Sequence, residues 1–336
     1  MLRQQDVGHR IVVRRIVGIR EGRPLFSDAL GELVELSETH LTLATAHGPL
    51  RVPVTQVHRA KRVPPTRRPT AAAVVALERA ADEAWPAPTR GRLGDWLLRS
   101  AEGWTGRANS ALPIGDPDRP LPAAVDAVER WYAEQGQPAM INTPLPLAAP
   151  VGAELDDRGW GSRPPTLVQT TPLPLPAGVA SAADAPAADP SAGVAPAADA
   201  SAGVAVELAT APSEEWLAVA AGRKGGLPDA ARHVLTAVEQ VRFAHVYADG
   251  TLVATGRGTV TGDDRRWLGL SLIEVLPAAR RQGLARRVIH ALADWGVSCG
   301  ASHAFLQVEQ RNTAAVTLYR TLGFTTHHTY LTRVAP

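Results

Sequence analysis

Leu268-Gly269-Leu270-Ser271-Leu272-Ile273-Glu274-Val275-Leu276-Pro277-Ala278-Ala279-Arg280-Arg281-Gln282-Gly283-Leu284-Ala285-Arg286 is the stretch on which the fold of this chain turns. An apolar run of strand length stops at Pro277, which cannot continue a ladder. A short loop containing Gly283 then opens a helix predicted over 284–299. A glycine turn feeding a helix N-terminus aims several backbone N–H groups at one spot, with the helix dipole behind them. That is an anion site suited to a pyrophosphate. Gly283 lets a phosphate approach the backbone, and small Ala285 lets the helix lie close to the strand.

Downstream, a strand is predicted over 304–308, then a helix over 312–322. The ordered pattern is Val275-x-Pro277, Arg280-x-x-Gly283-x-Ala285, Asn312-x-x-Ala315-x-x-x-Tyr319-x-x-x-Gly323-Phe324. Taken together, with the secondary structure between its parts, this set resembles the GNAT superfamily of N-acetyltransferases. The resemblance implies acetyl-CoA as co-substrate and a primary amine as acceptor, attacked directly at the thioester. It implies that the Arg280–Arg286 loop (Arg280, Arg281, Gln282, Gly283, Leu284, Ala285, Arg286) binds CoA, chiefly through backbone amides on the pyrophosphate. Ile273 and Val275 would pair with the pantetheine arm, and the Ile273 N–H would hold the acetyl carbonyl as an oxyanion donor. Asn312 would contact the cofactor, and Tyr319 would protonate the departing thiolate. The general base stays open among Glu274, Glu309 and His303, or water alone carries the proton away.

Around this segment, residues 206–336 read as β-α-α-β-β-β-α-β-α-β-β and form the intact acetyltransferase lobe. Before it, Pro186–Ala195 and Pro196–Ala205 are a tandem decamer of Pro, Ala, Gly, Ser, Val and Asp, too poor in apolar bulk to order itself. Residues 174–205 are therefore expected to be a flexible linker. Sliding the C-terminal lobe back by 164 residues gives an ungapped echo. Leu112-Pro113 falls under Leu276-Pro277, Trp131 under Trp295, Gly136 under Gly300, and Gly159-Trp160 under Gly323-Phe324. Residues 70–173, with helices expected at 71–84 and 123–134 and strand-like pieces at 104–114, 138–143 and 166–170, thus read as a degenerate GNAT-like lobe. Its counterpart of the phosphate loop is Asp116-Pro117-Asp118-Arg119-Pro120-Leu121, where carboxylates repel phosphate and prolines remove donors. Ala148 and Leu155 stand in place of Asn312 and Tyr319. A cleft between the lobes is the expected acceptor site, with Trp104, Arg107 and Asn109 as candidate lining.

At the other end, residues 6–65 alternate in short strand-like pieces broken by turns such as His47-Gly48. They are expected to form a small SH3-like barrel, with Val63-Pro64-Pro65 and Arg67-Arg68-Pro69 as the hinge out of it. The whole is then an α+β multidomain chain: a small SH3-like β-barrel followed by two GNAT-like α/β lobes with mixed central sheets flanked by helices. That order resembles a bacterial group of GNAT proteins with an SH3-like N-terminal domain. Residues 1–70 hold twelve Arg/Lys against six Asp/Glu. This surplus raises the alternative of a CoA-sensing module whose basic barrel recruits nucleic acid or a protein partner. Phe26 is the one aromatic residue there, so no base-stacking surface is evident.

Composition closes off other classes. Cys299 is the only cysteine among 336 residues, so no internal disulfide and no cysteine metal cluster can form. No run of about 20 apolar residues is present to span a membrane, and the first residues carry no apolar signal core. A cytoplasmic protein with no metal is expected.

Overall fold

The computed structural model describes residues 2–20, 22–45, 48–63, 69–176, 205–222, 227–263 and 266–336. The chain forms two compact units, 1–68 and 69–336. Most of the expected linker and hinge, and His47, fall outside the described residues.

In the first unit β1 (Arg10–Arg20), β2 (Arg23–Leu36), β3 (His40–Thr45), β4 (Gly48–Pro53) and β5 (Val57–Arg62) form an antiparallel sheet ordered β4-β3-β2-β1-β5. Alternation puts Ile11, Val13, Leu33, Leu41, Leu43 and Val52 on one buried face. Among the described residues the edge strands β4 and β5 do not pair, so the sheet is open where a closed barrel was expected. Alternation specifies which face is buried; it carries no information on whether two edges meet. Two of the basic residues are held in ion pairs, Arg14 with Asp28 at 2.8 Å and Arg62 with Asp6 at 2.5 Å.

The second unit begins with α1 (Ala71–Glu83). Thr70 caps it by accepting from the Ala73 N–H at 3.2 Å, and Pro86 bars its continuation. A hairpin of β6 (Thr89–Leu93) and β7 (Trp96–Ser100) follows, then α2 (Leu121–Glu134), β8 (Met140–Leu145), α3 (Ala149–Asp157), β9 (Gly161–Ser162) and β10 (Thr166–Pro172). Within 104–114, read as strand-like, only a 3-10 turn (Arg107–Asn109) and isolated bridges form. Beyond residue 205 come β11 (Val206–Ala209), α4 (Glu214–Gly222), α5 (Asp229–Thr236), β12 (Val241–Ala248), β13 (Thr251–Thr261), β14 (Trp267–Val275), α6 (Leu284–Ser298), β15 (His303–Glu309), α7 (Thr313–Thr321) and β16 (Thr325–Val334). The two closing strands expected from sequence are one ten-residue strand.

The 164-residue echo is visible in these elements. Adding 164 to the bounds of α3 gives those of α7, and the same shift lays α2 on α6 and β8 on β15 to within a residue. The two repeats do not build separate sheets. Nine strands join in the order β11-β12-β13-β14-β15-β10-β16-β8, with β9 against β16. Strand β10 follows α3 of the first repeat yet pairs with β15 of the second. Strand β16 follows α7 of the second repeat yet pairs with β8 of the first, and β10 and β16 pair with each other. The run β15-β10-β16-β8 therefore reads the same when the repeats are interchanged. This reciprocal exchange makes 69–336 one unit, where sequence suggested lobes at 70–173 and 206–336.

Helix α6 packs on the sheet where glycines make room. A Cβ on Gly256 would lie 2.5 Å from Val288, and one on Gly258 would lie 3.0 Å from Leu292. The close approach assigned to Ala285 thus comes from glycines of β13. Helix α1 is anchored by polar contacts. Thr261 Oγ1 donates to the Ala80 carbonyl at 2.9 Å, and buried Glu78 meets His328 Nε2 at 2.6 Å. Beside them His327 is half-buried, and burial, then the neighbouring His328, push its pKa from 6.5 down to about 4. Between those values the unfolded chain binds a proton that the folded chain refuses, so stability falls as pH drops through this window. His327→Gln is expected to flatten that fall. Urea midpoints at pH 7, 5.5 and 4.5 check it, and parallel pH profiles for the two proteins would refute it.

Candidate active site

Strand β14 is broken at one residue. Its register with β13 shifts between the pairs Thr255–Glu274 and Arg257–Ser271, and Leu272 takes φ of 52°. A branched side chain seldom adopts that left-handed conformation, and a bulge is where it is tolerated. On its other edge β14 pairs in parallel with β15 only from Trp267–His303 to Leu270–Leu306, after which the strands part. A cavity of about 410 Å³ fills the gap. Leu270 to Ile273, Leu306 to Glu309, Asn312 and Tyr319 form its wall on the second repeat, while Trp85, Arg107 and Arg163 face it from the first.

The candidate residues take distinct places. Ile273 lines the cavity, half-buried; Val275 pairs with Ala254 and its carbonyl accepts from Arg280 Nε at 3.1 Å. After a 3-10 turn at Pro277–Ala279, Arg281 and Gly283 adopt φ of 68° and 73°, so Gly283 serves as N-cap of α6 in a left-handed conformation. Gly283 has no side chain with which to cap that helix. Its first-turn N–H groups, at Leu284, Ala285 and Arg286, have no intrahelical acceptor by geometry and face outward. Arg281, Gln282 and Gly283 are exposed, and the Arg286 guanidinium donates to Thr321 Oγ1 at 3.2 Å. Asn312 lines the cavity but spends its side-chain oxygen as N-cap of α7, accepting from Ala315 N at 3.2 Å. Tyr319 is buried on the cavity wall, its ring 5.9 Å from Phe324.

The base candidates separate. Glu309 lies on the wall, 2.6 Å from Arg311 Nε. Glu274 stands 3.7 Å from Arg280, outside the lining set. His303 begins β15 beside Ser302 and Trp267, at the opposite end of the strand from the gap. In the first repeat the equivalent site is closed. Leu155 and Ala148 are core residues, and Asp95 and Asp116 accept the N–H groups of Asp116 and Asp118. Among the described residues no cluster of His, Cys, Asp or Glu is arranged to hold a metal ion, and no helix is long and apolar enough to cross a membrane.

Comparison with known proteins bears on this geometry. The family model described as "Probable histone acetyltransferase Rv0428c C-terminal" matches residues 71–159 and 168–332, covering both repeats. The chain belongs to this acetyltransferase family. It is 29% identical over 340 residues to "Probable histone acetyltransferase Rv0428c" of Mycobacterium tuberculosis, covering 98% of this chain and 95% of that protein. It is 28% identical to the "Uncharacterized N-acetyltransferase YobR" of Bacillus subtilis, covering 74% of this chain and 93% of the relative. In fold it is similar to a GCN5-related N-acetyltransferase from Kribbella flavida, with a TM-score of 0.55 at 16% identity, over 81% of this chain and 97% of that one.

The protein is thus an acetyltransferase with a GNAT-like fold, and the co-substrate expected from the sequence is acetyl-CoA. The residues present fit that group. An uncapped helix start behind two left-handed residues suits a pyrophosphate, and the parted strands leave a backbone edge open to an amide-bearing arm. Of the three residues proposed for the acceptor wall, Arg107 alone lines the cavity. Trp104 is core, stacked 5.4 Å from Trp85, and Asn109 ties its own loop together, accepting from Ala101 and Gly103 and donating to the Trp104 and Thr105 carbonyls. Sequence reasoning missed Trp85 and Arg163. For Trp85 a signal existed, a tryptophan closing a helix just before Pro86. Arg163 carried none.

Proposed function

We propose that this acetyltransferase moves the acetyl group of acetyl-CoA to a primary amine by direct attack on the thioester. The observation that carries the reading is the parting of β14 from β15 after Leu270, with the bulge at Leu272 and the uncapped start of α6 beside it. Acetyl-CoA supplies an acyl group on a good leaving thiolate. Amides of Arg281, Gln282, Gly283, Ala285 and Arg286 hold the pyrophosphate, and the strand backbone at Ile273 and Val275 holds the pantetheine arm. The Ile273 N–H stabilises charge developing on the carbonyl oxygen. Glu309, the carboxylate on the wall, takes the proton from the amine directly or through one water. Tyr319 gives a proton to the leaving sulfur. For the N-terminal unit, strand order β4-β3-β2-β1-β5 supports an SH3-like reading.

Tyr319→Phe tests the mechanism, because it keeps the ring that packs on Phe324 and removes only the phenolic hydroxyl. A fall in kcat of about a hundredfold is expected, with acetyl-CoA affinity by calorimetry unchanged. An unchanged kcat would remove Tyr319 from the chemistry.

A further inference from the structure

We infer that the acceptor is a small amine bearing a carboxylate, and that Arg107 and Arg163, on the wall given by the first repeat, bind that carboxylate. The inference rests on the acetyl-transfer reading and specifies its second substrate. Most arginines in this unit that approach a carboxylate are spoken for: Arg99 and Arg90 meet Asp82, Arg158 meets Asp126 and Glu154, and Arg333 meets Asp156. The two on the cavity wall differ. Arg107 Nε is buried with no hydrogen-bond partner, its guanidinium lying 5.2 Å from the Trp85 ring centroid. Arg163 has no ion pair or side-chain hydrogen bond among the described residues. It is folded against the same loop, close enough that a Cβ on Gly106 would lie 2.8 Å from its Nη1.

An arginine nitrogen withdrawn from water without a partner, as Arg107 Nε is, costs free energy, and an anionic ligand that accepts from it removes that cost. Carboxylates suit the arginine fork through paired, charge-assisted hydrogen bonds. On the first repeat's side of the cavity the charged side chains are all positive. Arg257, fully buried, lies on the same Trp85 ring at 5.2 Å. Glu309, on the second repeat's side, is the one carboxylate among the described lining residues, and it is ion-paired with Arg311. This field attracts an anion and opposes a polycationic acceptor such as a lysine-rich tail. A volume of about 410 Å³ suits a small molecule. With Arg107 and Arg163 gripping the carboxylate, the amine is left to face the gap between β14 and β15.

The test is steady-state CoA release by the full chain with acetyl-CoA and matched acceptors: a panel of amino acids, the carboxamide of each, and a lysine-rich peptide. For the best acid, kcat/KM is expected to exceed that of its amide by at least about tenfold, the difference lying mainly in KM. Arg163 is exposed, so Arg163→Gln is expected to fold; it should collapse the acid-to-amide ratio toward one. Amides used as well as acids, the peptide outrunning every acid, or no turnover across the panel by protein that binds acetyl-CoA would each overturn the inference. Failure of the unmodified protein to bind acetyl-CoA in calorimetry would instead overturn the acetyl-transfer reading beneath it.

Discussion

Gly283→Asp is expected to weaken acetyl-CoA binding by at least about a thousandfold while costing the fold only about 1 kcal/mol. The two halves of that result have separate causes. Gly283 is the N-cap of α6 at φ 73°, a conformation aspartate tolerates better than most residues. A Cβ there meets nothing within 4 Å. Aspartate is also a favoured N-cap, accepting from first-turn N–H groups and sitting well on the positive end of the helix dipole. The left-handed backbone still strains any side chain, so folding is expected to lose about 1 kcal/mol, partly offset by the favourable charge at the helix start. The same carboxylate takes the N–H groups a pyrophosphate needs and sets a like charge against it, a juxtaposition costing several kcal/mol, about 4 for a thousandfold loss. Gly283→Asn separates the causes, because it caps without charge and should lose much less. Calorimetric titration with acetyl-CoA reads all three proteins. Wild-type affinity in the aspartate variant would move the phosphate site elsewhere.

The largest effect on stability is expected at Arg257. Its guanidinium is wholly buried and donates to three carbonyls, Leu235 at 2.8 Å, Val234 at 3.2 Å and Ala84 at 2.9 Å. Leu235 and Val234 end α5, and Ala84 ends α1, so one cation satisfies the orphan acceptors at two helix C-termini, where the dipoles are negative. Burial, then the nearby Arg107, lowers its pKa to about 9, so it stays protonated at neutral pH. Arg257→Ala strands three buried carbonyls and leaves a void; a loss of more than about 3 kcal/mol is expected. Arg257→Met fills the volume without the hydrogen bonds and should recover little, which chemical denaturation can measure. A midpoint close to wild type in either variant would mean that water replaces the guanidinium at those carbonyls.

What could be read from sequence was local. The strand, Pro277, the loop and the helix beginning at Leu284 follow from residues within a few positions of one another, and so did the 164-residue echo of α2, β8 and α3. The bulge at Leu272 was not legible, since nothing in the composition of a leucine announces a positive φ. Nor was the sheet order. The alternation of 166–170 identifies a strand, but its partners, His303–Glu309 and Thr325–Val334, lie more than 130 residues away. The acceptor wall was half legible for the same reason. Arg107 lies close in sequence to the other two candidates, Trp104 and Asn109. That tryptophan proved to be core and Asn109 a loop brace, while Arg163 reaches the cavity only because β9 and β10 are carried across to the other repeat.

That crossing governs how the gene could be divided. A polypeptide of residues 205–336 holds every CoA-binding element named above, yet would fold, if at all, with an empty slot between β15 and β16. Both lips of the slot would be bare strand edges, the kind that recruit other chains and precipitate. Its missing piece, Thr166–Pro172, lies in the half without CoA chemistry, and that half in turn lacks the partner of β8. Complementation by two co-expressed fragments, 69–176 and 205–336, is the division the topology permits, each insoluble alone and active once mixed. Neither repeat holds all the strands its part of the sheet needs, so the first is indispensable although it lacks the phosphate loop.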